Sequence, residues 1–166
     1  MEPWEIDAHV QIRNLVATYN ANGDSGRFDN MVQVFTPEGV LEAGGGRHEG
    51  RDGIIRFLTG VADGPEPAAP AAPAAPAAAP AAPATRSYVR HMVATHKIDV
   101  VSSQRATGYA YYQVITAIGL DHWGRYFDEY VNVDGTWLIA HRRATTDGAV
   151  EGSWAHGRTN DPGVTG

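Results

Sequence analysis

Residues 121–143, Asp-His-Trp-Gly-Arg-Tyr-Phe-Asp-Glu-Tyr-Val-Asn-Val-Asp-Gly-Thr-Trp-Leu-Ile-Ala-His-Arg-Arg, set two β-rich runs on either side of Asp134-Gly135. Asp-Gly between such runs signals a hairpin, because a two-residue type I′ turn needs positive φ at both positions. The run before the turn splits by alternation. His122, Gly124, Tyr126, Asp128 and Tyr130 share one face, and Trp123, Arg125, Phe127, Glu129 and Val131 share the other. Neither face is a plain hydrophobic stripe. A long strand with polar and aromatic residues on both faces suits a curved sheet that packs on one side and lines a wet pocket on the other.

Upstream, Tyr88–Val101 and Arg105–Ile118 read as strands that precede this hairpin, and Thr136–Ala144 as the one that closes it. Before them lie helical signals. Ile6, Val10, Ile12, Leu15, Val16 and Tyr19 recur at helical spacing between Trp4 and Asn20, with Pro3 suited to a first turn. Asn22-Gly23-Asp24-Ser25-Gly26 breaks that helix, and Arg27–Phe35 reads as a second, ending before Pro37. Gly39–Ala43 is a short strand candidate, Gly44-Gly45-Gly46 a turn, and Asp52 a cap for a third helix that buries Ile54, Ile55, Phe57, Leu58 and Val61. Three helices followed by a strand meander specify an α+β fold with helices on one face of an antiparallel sheet.

Two stretches stand outside this plan. Pro65–Ala84 holds seven prolines and one charge, so it forms neither a helix interior nor a sheet ladder. At roughly 3.1 Å per residue it would reach about 60 Å if straight, and it is either a disordered insertion or a lid on the pocket. Residues 147–166 are Gly-rich and polar apart from Trp154, which predicts a flexible polar tail after a domain spanning residues 1–146.

The 166 residues fit one domain, and 43% hydrophobic content suffices for one core. An excess of 19 acidic over 13 basic residues gives a net charge of −6, and no basic cluster exceeds Arg142-Arg143, which argues against nucleic acid as a partner. Without cysteine there are neither disulfides nor thiolate chemistry. No apolar run approaches the roughly 20 residues of a membrane span, and a cytoplasmic location is expected.

The order of several motifs resembles the SnoaL-like branch of the nuclear-transport-factor-2-like superfamily. The motifs are the first helix ending in Tyr19, a carboxylate at Asp24, Phe35-Thr36-Pro37-Glu38-Gly39, and Gly50-Arg51-Asp52-Gly53-Ile54. They continue with Arg90-His91-Met92-Val93, Gly124-Arg125-Tyr126 and Asp134-Gly135-Thr136-Trp137-Leu138-Ile139. The resemblance spans nearly all of residues 5–144. It implies a cone-shaped barrel, a curved antiparallel sheet wrapped on three N-terminal helices, with a pocket between them. Relatives include scytalone dehydratase, ketosteroid isomerase, limonene epoxide hydrolase and polyketide cyclases, together with members that catalyse nothing.

Fold does not settle function in such a family. The pattern is most similar to scytalone dehydratase, in which an aspartate after the first helix and a histidine opening a long strand form an acid/base pair. Asp24 and His91 occupy those positions. Imidazole titrates near neutrality and shuttles a proton, while a carboxylate fixes its tautomer. The alternative is that Asp24 caps the second helix and His91 is satisfied by backbone. This chain departs from that relative at Ala110, Gly124 and Tyr126, so its substrate-specific machinery is absent. Tyr19, Tyr112, Tyr126, Asp128 and Tyr130 remain as candidate substrate-binding residues, each alternatively a core residue with its polar group satisfied.

No metal and no cofactor are expected. His91 and His96, five apart, fall on opposite faces of a regular strand, and no His-x-His or His-x-x-x-His pair occurs. Ser25, Ser87 and Ser153 lack an elbow motif. The reading is a cofactor-independent dehydratase or isomerase for a small apolar oxygenated molecule, with a non-catalytic binding or assembly protein as the alternative. Apolar residues on the outer strand face, Trp123, Phe127 and Val131, predict a homodimer or homotrimer.

Overall fold

The structure is a computed structural model that describes residues 1–62 and 88–155. The Pro/Ala stretch therefore lies outside the described residues. Helix α1 (Pro3–Gly23) starts with Pro3 in its first turn, and Glu5 and Glu2 cap each other's backbone in a reciprocal box. Its inner stripe buries Ala8, Ile12, Leu15, Val16 and Tyr19, whereas Ile6 and Val10 of the periodic set read from the sequence are exposed. Each buried Ile or Leu contributes about 1.5–3 kcal/mol. A single turn, α2 (Phe28–Met31), and a 3₁₀ turn (Val32–Val34) replace the longer second helix that was expected. Phe35 instead opens β1 (Phe35–Ala43), whose register is interrupted between Phe35 and Val40, where Pro37 cannot donate to a ladder.

Strand β2 (Gly46–Glu49) hairpins back on β1 and was not foreseen. It runs straight into α3 (Gly50–Ala62) because Gly50 takes φ 66°, so Asp52 lies within the first turn rather than capping the helix. The meander follows as β3 (Arg90–Ser102), β4 (Arg105–Thr116), β5 (Gly119–Val133) and β6 (Thr136–Ala149). Asp134 and Gly135 adopt φ 51° and 87°, as the hairpin requires. The sheet order is β2-β1-β6-β5-β4-β3. It is open and mixed rather than purely antiparallel, because β1 pairs in parallel with β6. No tight turn joins those two strands, so nothing forces them antiparallel. The helices pack on the concave face, α1 across β3 and β6 and α3 against β1.

Strand β6 passes through Asp147 to Ala149, where the tail was expected to begin, and residues 150–155 fold back on β5. The Val150 N–H donates to the Asp121 carbonyl (2.9 Å), and Ser153 and Ala155 are buried. Polar composition misleads here, since the segment is held by a buried carboxylate and not by apolar content. No described helix is long and apolar enough to cross a membrane.

Candidate functional site

The inward face of β5 carries Gly124, Tyr126, Asp128 and Tyr130, all buried, as alternation predicts. Three register shifts add polar residues that alternation assigns elsewhere. In β3 one extra residue lies between Ala94 and Lys97, with Thr95 at φ 49°, so His91 and His96 both turn inward. The expectation of opposite faces is corrected by that bulge. In β5 an extra residue at Asp121 buries both Asp121 and His122. In β6 an extra residue between Ile139 and His141 turns Arg142 inward, directly opposite Asp128.

Asp24 sits at the C-terminal end of α1, its N–H still bonded to the Asn20 carbonyl at 2.8 Å. A carboxylate there opposes the helix dipole and needs compensation from elsewhere. His91 supplies it. Asp24 Oδ1 lies 2.6 Å from His91 Nδ1, and Asp24 Oδ2 accepts the His91 backbone N–H at 2.9 Å. Asp24 does not cap α2, whose N-cap is Arg27. An ionised carboxylate only accepts, so Nδ1 carries the proton and Nε2 presents a lone pair. No described residue bonds that Nε2, and the His91 side chain retains 24% exposure.

Of the other residues expected to touch substrate, Tyr112 is the one beside the pair, its ring centroid 6.0 Å from that of His91. Its hydroxyl donates to the Thr145 carbonyl (2.8 Å), and burial pushes its pKa up to about 12. Gly124 makes that approach possible: a Cβ there would stand 1.8 Å from the Thr145 carbonyl oxygen and 2.8 Å from the Tyr112 hydroxyl. Tyr126 stacks on Tyr112 at 4.6 Å and donates to Asn20 Oδ1 at 3.1 Å.

Tyr19, Asp128 and Tyr130 belong to a different cluster. Arg142, fully buried, lies between the rings of Tyr19 and Tyr126 (4.3 and 4.1 Å) and grips Asp128 with Nε and Nη2 at 2.8 and 2.7 Å. The Tyr130 hydroxyl donates to Asp128 (2.6 Å) and accepts from His96 Nε2 (3.3 Å). Burial pushes the His96 pKa down to about 4 and raises those of Tyr19, Tyr126 and Tyr130, while Asp128 holds Arg142 firmly protonated. In the sequence Arg142 stands out only as half of a basic pair with Arg143.

A further group escaped the sequence reading. His122 Nδ1 donates to Asp121 Oδ1 (2.7 Å), and Asp121 also accepts from Ser153 Oγ (2.5 Å) and Thr116 Oγ1 (3.3 Å). The Trp154 ring stands edge-on to His122 at 4.8 Å. No trio of His, Asp or Glu suited to a metal ion occurs among the described residues. Two surface depressions, of about 480 and 300 Å³, lie along the β1–β2 hairpin, and neither is lined by His91 or His122.

The fold is similar to that of several solved structures. A candidate scytalone dehydratase from Novosphingobium aromaticivorans aligns with TM-score 0.70 and 19% identity, covering 91% of each chain. A protein of unknown function from Mycobacterium tuberculosis aligns at 0.68 and 23%, over 90% of this chain and 79% of that one. ActVI-ORFA from Streptomyces coelicolor aligns at 0.65 and 17%, over 84% and 98%. At these identities the likeness establishes the fold alone. No match to the sequence was found among curated proteins. The model of the SnoaL-like domain, however, matches residues 4–143, nearly the whole of the sheet and its helices. The chain belongs to the SnoaL-like domain family.

Proposed function

We propose that this protein is a cofactor-independent acid/base enzyme that dehydrates or isomerises a small, mostly apolar, oxygenated molecule next to a carbonyl. The observation that supports this reading is the Asp24–His91 contact at 2.6 Å, with the carboxylate also bonded to the backbone of the same histidine. That double hold fixes the imidazole in one tautomer and one direction. Nε2 is then a proton acceptor or, once protonated, a donor. Such positioned proton transfer is worth about 10²–10⁴-fold in rate. Tyr112 forms the wall next to it. Asp24 does not touch substrate and acts through His91.

A second reading, a non-catalytic binding or assembly protein on the same scaffold, is favoured by one observation. The hydroxyls of Tyr112, Tyr126 and Tyr130 all donate within the protein, which leaves them poor donors to a substrate oxygen. Incubation with a metabolite extract in D₂O separates the two. An acid/base enzyme leaves a metabolite with solvent deuterium beside its carbonyl or with water removed, and His91→Asn abolishes both changes. A metabolite that co-purifies unaltered, with wild type and His91→Asn alike, would establish binding without catalysis.

A further inference from the structure

His122 lies opposite Val114 of β4, and Val114 lies opposite His91 of β3. The two histidines therefore stand at one level of the sheet, two strands apart, which is about 10 Å between backbones. Both point to the concave face, with Tyr112 between them: its ring is 6.0 Å from His91 and 6.1 Å from His122. Tyr112 cannot swing away, being bonded to the Thr145 carbonyl and stacked on Tyr126.

The two imidazoles are held in the same manner. Each gives its Nδ1–H to a carboxylate, and in each no described residue bonds Nε2. The hold on His122 is the more elaborate, because Asp121 is fixed in turn by Ser153 and Thr116, and Ser153 Oγ accepts the Ala155 N–H at 2.9 Å. His122 Nε2 is not among the buried side-chain atoms that lack a partner, so this aimed nitrogen is open to something other than the described residues. With 5% side-chain exposure against 24% for His91, the ring is shielded without being sealed.

We propose that His122 is the second proton-transfer residue of this site, its Nε2 reaching the same bound molecule as that of His91 from the other side of Tyr112. The proposal rests on His91 acting as described above. It divides the labour. Burial, the largest influence, disfavours the His122 imidazolium; Asp121 favours it, His91 adds the smallest push against it, and the balance is downward, so His122 enters neutral and takes the proton from carbon. The C–H electron pair becomes the new C=C bond, and the hydroxyl on the adjacent carbon departs as water with the proton delivered by the His91 imidazolium. His122 ends protonated and His91 neutral. Proton exchange with solvent restores both.

The test uses the full chain and diethyl pyrocarbonate, which acylates the free lone pair of a neutral, reachable imidazole, with adducts located by peptide mass spectrometry. We expect adducts on both His91 and His122. Between about pH 7 and about pH 5.5 the His122 rate should fall by less than the roughly eightfold of an ordinary imidazole. In His91→Asn the NMR titration midpoint of His122 should move up, because a neighbouring positive charge is gone. Adducts on His91 but none on His122 would overturn the inference and leave the Asp24–His91 reading standing. Absence of adducts on either would overturn both. Should His91→Asn fail to fold, labelling of the unaltered protein alone decides the matter.

Discussion

The cluster around Arg142 and the pair Asp24–His91 use the same chemical vocabulary, a carboxylate, a cation or potential cation, and tyrosines, yet they differ in one respect. Around Asp128 the carboxylate is enclosed by buried partners: Arg142 takes both of its oxygens, Tyr130 bonds one of them, and His96 bonds Tyr130, although the buried Arg142 Nη1 has no hydrogen-bond partner among the described residues. At Asp24 the chain of bonds is open, ending on an imidazole nitrogen that no described residue occupies. A carboxylate gripped from all sides by buried partners holds a fold in register, whereas the chain from Asp24 ends on a partly exposed imidazole nitrogen that a ligand can reach. The difference teaches that residue type alone does not assign a role here. Where the hydrogen bonds of each carboxylate terminate is what separates the two regions.

The largest effect should come from opening the enclosed cluster. Arg142→Met leaves Asp128 buried without its partner, which should cost about 3–5 kcal/mol in urea unfolding. Adding Asp128→Leu to that variant should recover more than about 1 kcal/mol, as matched apolar replacement of buried ion pairs does. A double variant no more stable than Arg142→Met would mean that the cluster is not the coupled unit described.

Next in size is Gly124→Ala, at the seam between the two regions. The added methyl would collide with the Thr145 carbonyl, and overpacking of this kind costs about 1–3 kcal/mol. Loss of the Tyr112 stack should appear in near-ultraviolet circular dichroism. A variant with wild-type stability and spectrum would show that Tyr112 is not pinned by that approach.

The pH dependence of stability tests the enclosed cluster from another side. With a folded pKa of about 4 for His96 and an ordinary value near 6.5, the unfolded chain takes up the proton first as pH falls. Stability from this group is therefore complete above about pH 6.5, is lost as pH drops toward about 4, and changes no further below that. Discounted for partial solvent screening, the loss is on the order of 1–2 kcal/mol. His96→Gln should flatten the fall of thermal midpoint across that window. Identical slopes for the two proteins would place the His96 ring in water.

The smallest stability effect belongs to the open pair. Asp24→Ala removes hydrogen bonds at a partly solvated position and should cost only about 1 kcal/mol, yet it should release His91 from its Nδ1–H tautomer, visible in imidazole ¹⁵N shifts. A cost as large as that of Arg142→Met would erase the distinction between the regions and make Asp24 a structural residue.

The alternation of β5 and the Asp134-Gly135 turn were legible in the sequence because both are local, one a period of two and the other a demand on φ. The order of helices and strands was legible for the same reason. Asp24 and His91 were identifiable through the family pattern their positions resemble. His96, Asp121, His122 and Arg142 were not, and each sits at a strand register shift. A bulge inserts one residue and reverses which side chains face inward, and its position depends on the neighbouring strand rather than on the residues that form it. Ser153 and Trp154 stand out in the sequence no better, for a related reason: Asp121, which holds Ser153, is 32 residues away, and it and His122, on which Trp154 packs, are buried together only through such a shift.

The parallel pairing of β1 with β6 bears on how the chain is made. During synthesis β1 emerges early with β2 on one side, but its other neighbour comprises residues 136–149, near the far end of the sheet-forming sequence. Until those residues leave the ribosome, one edge of the β1–β2 hairpin has no partner, and α1 has only part of the surface it will cover. Contacts so distant in sequence slow folding and leave an apolar strand exposed meanwhile. Nascent chains arrested before residue 136 should therefore be protease-sensitive throughout, and protection should arrive in one step once β6 has been translated.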